Sequence, residues 1–136
     1  MSKRYYTSSG APWEETVGYS RAVKVGNVIE VSGTAPVKDG KPFTGSPYEQ
    51  AKCCLEIIAE HLQRLDSGME DVVRTRMFVT DISQWEEFGR AHAEFLGDYR
   101  PATSMVEVSK LIDEGILIEI EATAVLGGNI ISNYLT

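Results

Sequence analysis

Residues 100–126, with the sequence RPATSMVEVSKLIDEGILIEIEATAVL, contain two strand-like runs on either side of a polar turn. In the second run, five apolar residues alternate with a set that includes Glu119 and Glu121. The five apolar residues are Ile116, Ile118, Ile120, Ala122 and Ala124. Alternation with a period of two places the two sets on opposite faces of a strand. The stretch therefore predicts a long hairpin whose isoleucine face is buried against helices and whose other face is open.

The first run of this predicted hairpin alternates in the same way. One of its sides is apolar and carries Val106 and Val108. The members of its other, mixed side are Thr103, Met105 and Glu107. We expect the mixed side to share the open face with the two carboxylates of the second run. An open sheet face of this composition is typical of contact with another subunit.

A hairpin and a helix are predicted upstream. Residues 19–33 contain two β-rich runs around Gly26-Asn27, a two-residue link that suits a tight turn. Residues 46–49 read Ser-Pro-Tyr-Glu, which is a capping box with proline at the first helical position. An apolar stripe at helical spacing follows, and Gly68 is placed to end the helix.

A strand and a second helix come next. Residues 71–80 read DVVRTRMFVT and predict a strand. Residues 81–83 are predicted to cap a second helix, with a capping box at residues 83–86, and Gly97 ends that helix. Residues 1–16 are polar, and so is the segment that follows the predicted hairpin and runs to Gly45. We expect both to be irregular. The predicted order is β-β-α-β-α-β-β. This is an α+β fold with a mixed sheet and two helices packed on one of its faces.

Arginines on the strand at residues 71–80 are the expected partners of the open face's carboxylates. An unpaired carboxylate that is buried costs free energy, so we expect Arg74 or Arg76 to pair with Glu107 or Glu121. His92 lies on the apolar side of the second helix, and we expect it to be packed there.

The composition limits the possible functions. The chain has 136 residues, a net charge of −7 and a pI of about 4.8, which argues against nucleic acid as a partner. The sequence has no signal peptide and no apolar run of membrane-spanning length, so we expect a cytoplasmic protein with no membrane partner. Cys53 and Cys54 are adjacent and form neither a disulfide framework nor a metal set. Phosphate-loop and zinc spacings are missing, so neither a cofactor nor a metal is implied.

Three stretches of the sequence resemble the Rid family, also called YjgF or the reactive-intermediate deaminases. They are VGYSRAVKVGNVIEVSGT (17–34), DVVRTRMFVTDISQWEEFGRAHAEF (71–95) and RPATSMVEVSKLIDEGILIEIEATAV (100–125). The resemblance implies a single domain over residues 1–136 with a chorismate-mutase-like fold. It also implies a homotrimer in which the sheets form an inner barrel, the helices lie outside and small-molecule clefts lie between subunits.

The resemblance identifies a departure at the substrate anchor. Deaminating members carry PARS, or a close variant, where this chain has Pro101-Ala102-Thr103-Ser104. Their arginine pairs with the carboxylate of a 2-imino or 2-enamino acid, and Thr103 takes its place here. A hydroxyl group cannot supply a bidentate, charge-assisted clamp. The chain is therefore identified as a member that lacks the family's catalytic arginine.

Other positions of the family's site correspond to residues of this chain. Tyr19 matches a tyrosine near the substrate, and the backbone carbonyl of Met105 takes the place of the group that holds the reacting water. Glu119 matches the carboxylate that helps to position this water. An asparagine of some active members corresponds to Gly89. A structural alternative for Glu119 is a barrel-lining carboxylate paired with arginine.

Two arginines are candidates to replace the missing anchor. Arg21 follows Tyr19 by two residues and shares its face if that run is extended. This makes Arg21 the better candidate. Arg100 precedes Thr103 by three residues, so it is not a simple replacement within one chain, although it could reach a neighbouring subunit's cleft. Ordinary ion pairing is the alternative for both. The remaining predicted substrate-binding residues are Ser32 and Gly33.

Three functions follow from this interpretation. The first is a Rid-type deaminase or hydrolase that acts on a small imine, enamine or related metabolite other than a classical 2-imino acid. The second is a non-catalytic trimer that binds a small metabolite in the same clefts. The third, an RNase of the kind attributed to some family members, is the weakest because the acidic chain offers no basic groove.

Overall fold

The computed structural model of the protein describes residues 3–131. The strands, in chain order, are β1 (Arg4–Thr7), β2 (Ala22–Val25), β3 (Val28–Thr34), β4 (Val37–Lys38), β5 (Lys41–Pro42), β6 (Val72–Val79), β7 (Ala102–Glu107) and β8 (Ile118–Val125). The helices are α1 (Pro12–Val17), α2 (Pro47–Arg64) and α3 (Trp85–Leu96). Short 3-10 helices cover Met69–Asp71 and Ile82–Gln84. Of the predicted 1–136 domain, residues 1, 2 and 132–136 lie outside the described residues.

Six strands form one mixed sheet in the order β1-β2-β3-β8-β6-β7. Neighbouring strands are antiparallel except β6 and β7, which are parallel. The short strands β4 and β5 pair with each other in a separate hairpin. The predicted α+β class and mixed sheet are confirmed.

The predicted hairpin over residues 100–126 is wrong. Its two runs are strands β7 and β8, but they do not pair, because β6 lies between them. Ten residues connect them, which is long enough to cross over β6 rather than to turn tightly. The apolar strand β8 takes a central position between β3 and β6, and the more polar β7 takes the edge, where fewer of its side chains need to be buried.

The apolar side of β8 forms the centre of the core, as predicted. Ile118, Ile120 and Ala124 are all buried, and they pack with Leu55 and Ile58 of helix α2. Helix α3 adds further buried residues to the same cluster, so both long helices cover one face of the sheet. In the described part of the chain, no helix has the length and apolar character needed to span a bilayer.

The predicted helix ends are correct in part. The capping box at residues 46–49 is present, because Ser46 Oγ accepts from Glu49 N and Glu49 Oε1 accepts from Ser46 N. Gly68 does not end α2, which stops at Arg64, with Leu65 as its cap residue. The chain turns away at the following residue, Asp66, which has a φ of 61°.

The second predicted capping box, at residues 83–86, is wrong. The Asp81 side chain accepts from Ser83 N and starts the 3-10 helix instead, so α3 begins later, at Trp85. Its predicted end is correct, because Gly97 is the residue that caps α3.

The N-terminal residues are ordered rather than irregular. Strand β1 pairs with β2, and His61 Nδ1 of helix α2 lies 2.8 Å from Thr7 Oγ1. Helix α1 is fixed by the buried Glu14, whose carboxylate accepts hydrogen bonds from Ser8 and Ser9. Burial raises the pKa of Glu14, but these hydrogen bonds outweigh it and lower the pKa overall. Polar residues supply these contacts, so hydrophobic periodicity did not reveal them.

Candidate functional site

The structure separates the predicted site residues into two clusters. The Glu119 cluster contains Tyr19, Arg21, Ser32, Gly33 and Glu119, and lies around the end of strand β3. The Thr103 cluster lies at the edge strand β7 and contains Thr103 and Met105 together with Thr75 and His92, which the sequence analysis did not assign to the site.

Arg21 organises the Glu119 cluster. Its Nη2 donates to the carbonyls of Ser32 and Gly33, at 3.1 and 2.8 Å, and lies 2.7 Å from Thr34 Oγ1. Its guanidinium carbon lies 6.0 Å from the centre of the Tyr19 ring, at the distance limit of a cation–π contact. Arg21 therefore holds the end of β3 in place, next to Tyr19.

Ser32 also has a structural partner. Its Oγ donates to the Ser20 carbonyl at 2.6 Å, and its N–H donates to the Arg21 carbonyl at 2.9 Å. These bonds join the end of β3 to the segment that carries Tyr19. Residues 19–21 precede β2, so the predicted strand begins later than residue 19.

The Glu119 carboxylate lies directly over Gly33. A Cβ atom at residue 33 would be 2.2 Å from Glu119 Oε1, so a side chain at that position would displace the carboxylate. Burial raises the pKa of Glu119, the Arg21 charge lowers it, Glu121 raises it, and the net pKa is raised. Such a carboxyl group holds a proton more readily than an exposed one does.

Hydrogen bonds connect the Thr103 cluster to helix α3. Thr75 Oγ1 on strand β6 lies 2.7 Å from Thr103 Oγ1 and 2.8 Å from His92 Nε2. Thr75 is 1% exposed, whereas Thr103 is exposed. His92 is half-buried against the sheet, as expected, and it also makes a hydrogen bond to Thr75 that was not predicted. A signal was present in the sequence, because the alternation of β6 places Thr75 on the same face as the core residue Met77.

The predicted face of strand β7 is wrong. Its parallel register pairs Thr103 with Thr75 and Met105 with Met77, both on the helix-covered side. Thr103, Met105 and Glu107 therefore lie on the opposite face of the sheet from Glu119 and Glu121. The prediction failed because it gave β7 the register of a hairpin partner of β8, whereas β7 follows β6.

The arginine pairing on the open face is confirmed for one pair. Arg76 Nη1 lies 3.9 Å from Glu121 Oε1, and both side chains are about two-fifths exposed, at 43% and 39%. Arg74 instead donates to Ser104 Oγ at 2.8 Å. Glu107 lies on the other face and accepts from Ile82 N at 3.0 Å.

The two candidate anchors lie in different places. Arg21 precedes β2, which is four strand spacings, or about 19 Å, from Thr103 on β7. It therefore cannot take an arginine's place at Thr103 within one chain. Arg100 is exposed and has a φ of 51° just before Pro101.

Neither cluster forms a metal site within the described residues or lines the groove beside helix α2. Within residues 3–131, no group of three or more His, Cys, Asp or Glu side chains is placed to hold a metal ion. A groove of about 280 Å³ lies between the β4–β5 hairpin and helix α2, lined by Lys38, Phe43 and Lys52 among others. It contains none of the predicted site residues.

Comparisons with known proteins agree with this architecture. Residues 10–126 match the profile of a family described as Endoribonuclease L-PSP. A crystal structure of a Mycobacterium tuberculosis member of the YjgF/YER057c/UK114 family is 44% identical, with a TM-score of 0.84 over 91% of this chain and all of that one. An uncharacterized Streptomyces coelicolor protein is 36% identical over 88% of this chain and 90% of its own. The mitochondrial protein mmf2 of Schizosaccharomyces pombe is 38% identical over 78% of this chain and 86% of its own.

The family match extends from the loop before α1 to the end of β8, so it includes both clusters. The solved relative shares the fold over nearly the whole chain at an identity well above chance. The chain therefore belongs to the Endoribonuclease L-PSP family, the YjgF family that its sequence resembles.

Proposed function

We propose that the protein is a trimer with a chorismate-mutase-like, barrel-forming arrangement of sheets, and that it hydrolyses a small imine or enamine in clefts between subunits. The observation that carries the proposal is the half-buried Glu119 carboxyl group held over Gly33 beside Arg21. An alternative of a different class is a trimer that binds a small metabolite in these clefts without catalysis.

The separation of the two clusters supports a cleft between subunits. Glu119 on β8 and Thr103 on β7 are separated by two strand spacings, about 10 Å across the sheet, and by three residues along the strands, and they lie on opposite faces of the sheet. One small ligand cannot touch both in a single chain. A second copy that brings its Glu119 cluster against the edge strand β7 of the first would join them in one cavity.

The open sheet face supports the same assembly. Besides the Arg76–Glu121 pair it carries exposed apolar residues, including Tyr6, Val25 and Val106, which are 56%, 40% and 45% exposed. Apolar side chains mixed with paired charges are typical of a surface that another subunit covers.

The raised pKa of Glu119 supports a role for it in imine hydrolysis. In this reaction the oxygen of water forms a bond to the imine carbon while one of its protons goes to the nitrogen, which gives a carbinolamine. The remaining carbon–nitrogen bond then breaks as the carbonyl group forms, and the second proton of the water also goes to the nitrogen, which leaves as ammonia. A carboxylate can accept each proton from the oxygen and deliver it to the nitrogen. The Met105 carbonyl and Tyr19 are the proposed partners that orient the water and the substrate.

The substrate class follows from Thr103. A carboxylate that enters the cleft loses water, and a fixed cation is needed to compensate for this loss. Thr103 offers a neutral hydroxyl group, so we propose a substrate without a carboxylate at that position. If the threonine at position 103 also abolishes catalysis, the cleft has the alternative function of binding a metabolite.

Ammonia release from imines generated in solution by an amine or amino-acid oxidase tests the proposal. Glu119→Gln should lower kcat/KM by about 10²-fold or more, since general acid–base catalysis contributes 10²–10⁴-fold. The matched control is Glu30→Gln, because Glu30 lies on the same sheet face in β3, where it accepts from Thr123. It should keep the wild-type rate.

Two results would overturn the proposed enzymatic activity. One is wild-type ammonia release no faster than in buffer for every imine tested. The other is an equal loss of kcat/KM in Glu119→Gln and Glu30→Gln. Ligand-induced thermal stabilisation without turnover would instead favour the binding function. RNA cleavage that depends on Glu119 would favour the activity in the family's description.

Light scattering tests the assembly independently of the chemistry. A trimer has three times the chain mass of 15.0 kDa. A monomer at micromolar concentration would contradict both the trimer and the cleft.

A further inference from the structure

We infer that His92 acts through Thr75 to set whether the Thr103 hydroxyl donates or accepts a hydrogen bond, so that this cluster recognises an uncharged polar group such as a ketone, imine or amide. The inference rests on the proposed function for the location of the cleft. It assigns new positioning roles to His92 and Thr75.

The hydrogen-bond distances form an unbroken chain. His92 Nε2, Thr75 Oγ1 and Thr103 Oγ1 are separated by 2.8 and 2.7 Å, which is normal for bonds between these groups. Thr75 has one hydroxyl hydrogen, so it can donate to only one of its two neighbours. If Thr75 donates to His92, it must accept from Thr103, and if it accepts from His92, its own hydrogen is available to donate to Thr103.

The two neutral forms of His92 give opposite results at Thr103. If Nε2 carries the hydrogen, His92 donates to Thr75, Thr75 donates to Thr103, and the Thr103 hydrogen is left to point at a ligand acceptor. If Nδ1 carries it, Nε2 accepts from Thr75, Thr75 accepts from Thr103, and Thr103 presents its oxygen to a ligand donor. The cluster can thus match a carbonyl oxygen or an N–H group without a change of charge.

The surroundings favour an uncharged ligand group. Thr75 is buried and Thr103 is a hydroxyl, so neither provides the cation that a carboxylate needs. Burial of His92 lowers its pKa, which keeps the imidazole neutral near pH 7.

The side of helix α3 that carries His92 is open around Gly89. Gly89 lies on α3 about one turn before His92, and a Cβ atom built there meets nothing within 4 Å. Trp85, one turn earlier on the same side, is 57% exposed. An open, partly aromatic surface therefore lies on the same side of α3 as His92, which suits a small group with one polar and one apolar side.

Binding of pyruvamide, with pyruvate as its charged counterpart, tests the inference by NMR titration. Thr75→Val removes the linking hydroxyl with little change of shape, and Thr75→Ser keeps it as the matched control. We expect Thr75→Val and His92→Phe to weaken pyruvamide binding about two- to tenfold, the effect of one lost hydrogen bond. Thr75→Ser should stay within about twofold of wild type, and pyruvate should bind more weakly than pyruvamide.

The imidazole nitrogen-15 shifts of His92 provide a readout that a merely structural histidine would not move. They report which ring nitrogen carries the hydrogen, and pyruvamide should move the population towards hydrogen on Nε2. The inference is overturned if wild type does not bind pyruvamide, or if binding and the His92 shifts are the same in Thr75→Val and Thr75→Ser. If imine hydrolysis is observed but pyruvamide binding does not depend on the Thr75 hydroxyl, only this inference is refuted. If pyruvamide binding depends on the Thr75 hydroxyl but no hydrolysis is observed, only the proposed catalysis is refuted.

Discussion

Gly33→Ala is the substitution with the sharpest consequence for the Glu119 cluster. The new Cβ would stand 2.2 Å from Glu119 Oε1 and 3.0 Å from its carboxyl carbon, whereas ordinary contact begins at 3.4 Å. The carboxylate must therefore retreat by about 1 Å, as repulsion at shorter distances requires. It can do so at little cost, because it is the far end of a flexible side chain.

The displacement should separate activity from stability. Misplacement of a reacting group by about 1 Å can cost about 10²-fold in rate, so kcat/KM for imine hydrolysis should fall by that order. The thermal midpoint should change little, because alanine is also about 0.5–1 kcal/mol better than glycine within a strand. The pKa of Glu119 should fall towards its ordinary value, since the displaced carboxyl group is less buried.

Gly128→Ala is the matched control, because a Cβ at Gly128 meets nothing within 4 Å. Ammonia release measures the rate, a thermal scan measures stability, and carbon-13 titration measures the pKa of Glu119. Unchanged turnover in Gly33→Ala, with the pKa of Glu119 lowered, would show that the position of Glu119 is irrelevant to the reaction. A large loss of stability would refute the argument that the side chain can yield.

Four further predictions follow from named contacts. Thr103→Arg should give measurable hydrolysis of 2-iminopropionate, which the wild type should lack, and ammonia release compares the two. Glu119→Gln should stabilise the protein at pH 7 but not in acid. The pKa of Glu119 is raised in the folded state, so this group contributes stability at low pH that is lost as the pH rises through its folded-state pKa. Thermal scans at both pH values check this. Arg76→Ala should cost about 3–5 kcal/mol in urea denaturation if a trimer buries the pair with Glu121, whereas an exposed pair is worth about 0–1 kcal/mol. Ser46→Ala should cost about 1 kcal/mol in the same assay through the loss of its helix cap, and Ser46→Asp should not.

Several features of the fold could be predicted from local pattern. The buried face of β8, the turn at Gly26-Asn27 and the capping box at Ser46 all depend on residues close together in sequence. The alternation that buries Ile118 and Ile120 is a property of strand geometry and holds whichever strands lie beside it. The presence of Arg76 and Glu121 on one face followed from the same periodicity.

The sequence by itself determined which residues alternate, where the two long helices lie and which family the chain resembles, because these depend on local periodicity and short motifs. Only the tertiary structure decided that β7 pairs in parallel with β6, which moved Thr103 and Met105 to the helix-covered face. It also decided that His92 meets Thr75 and that Glu119 lies over Gly33. Side-chain direction alternates with each residue, so the face of an edge strand depends on its register with a partner distant in sequence, and local pattern does not contain that register.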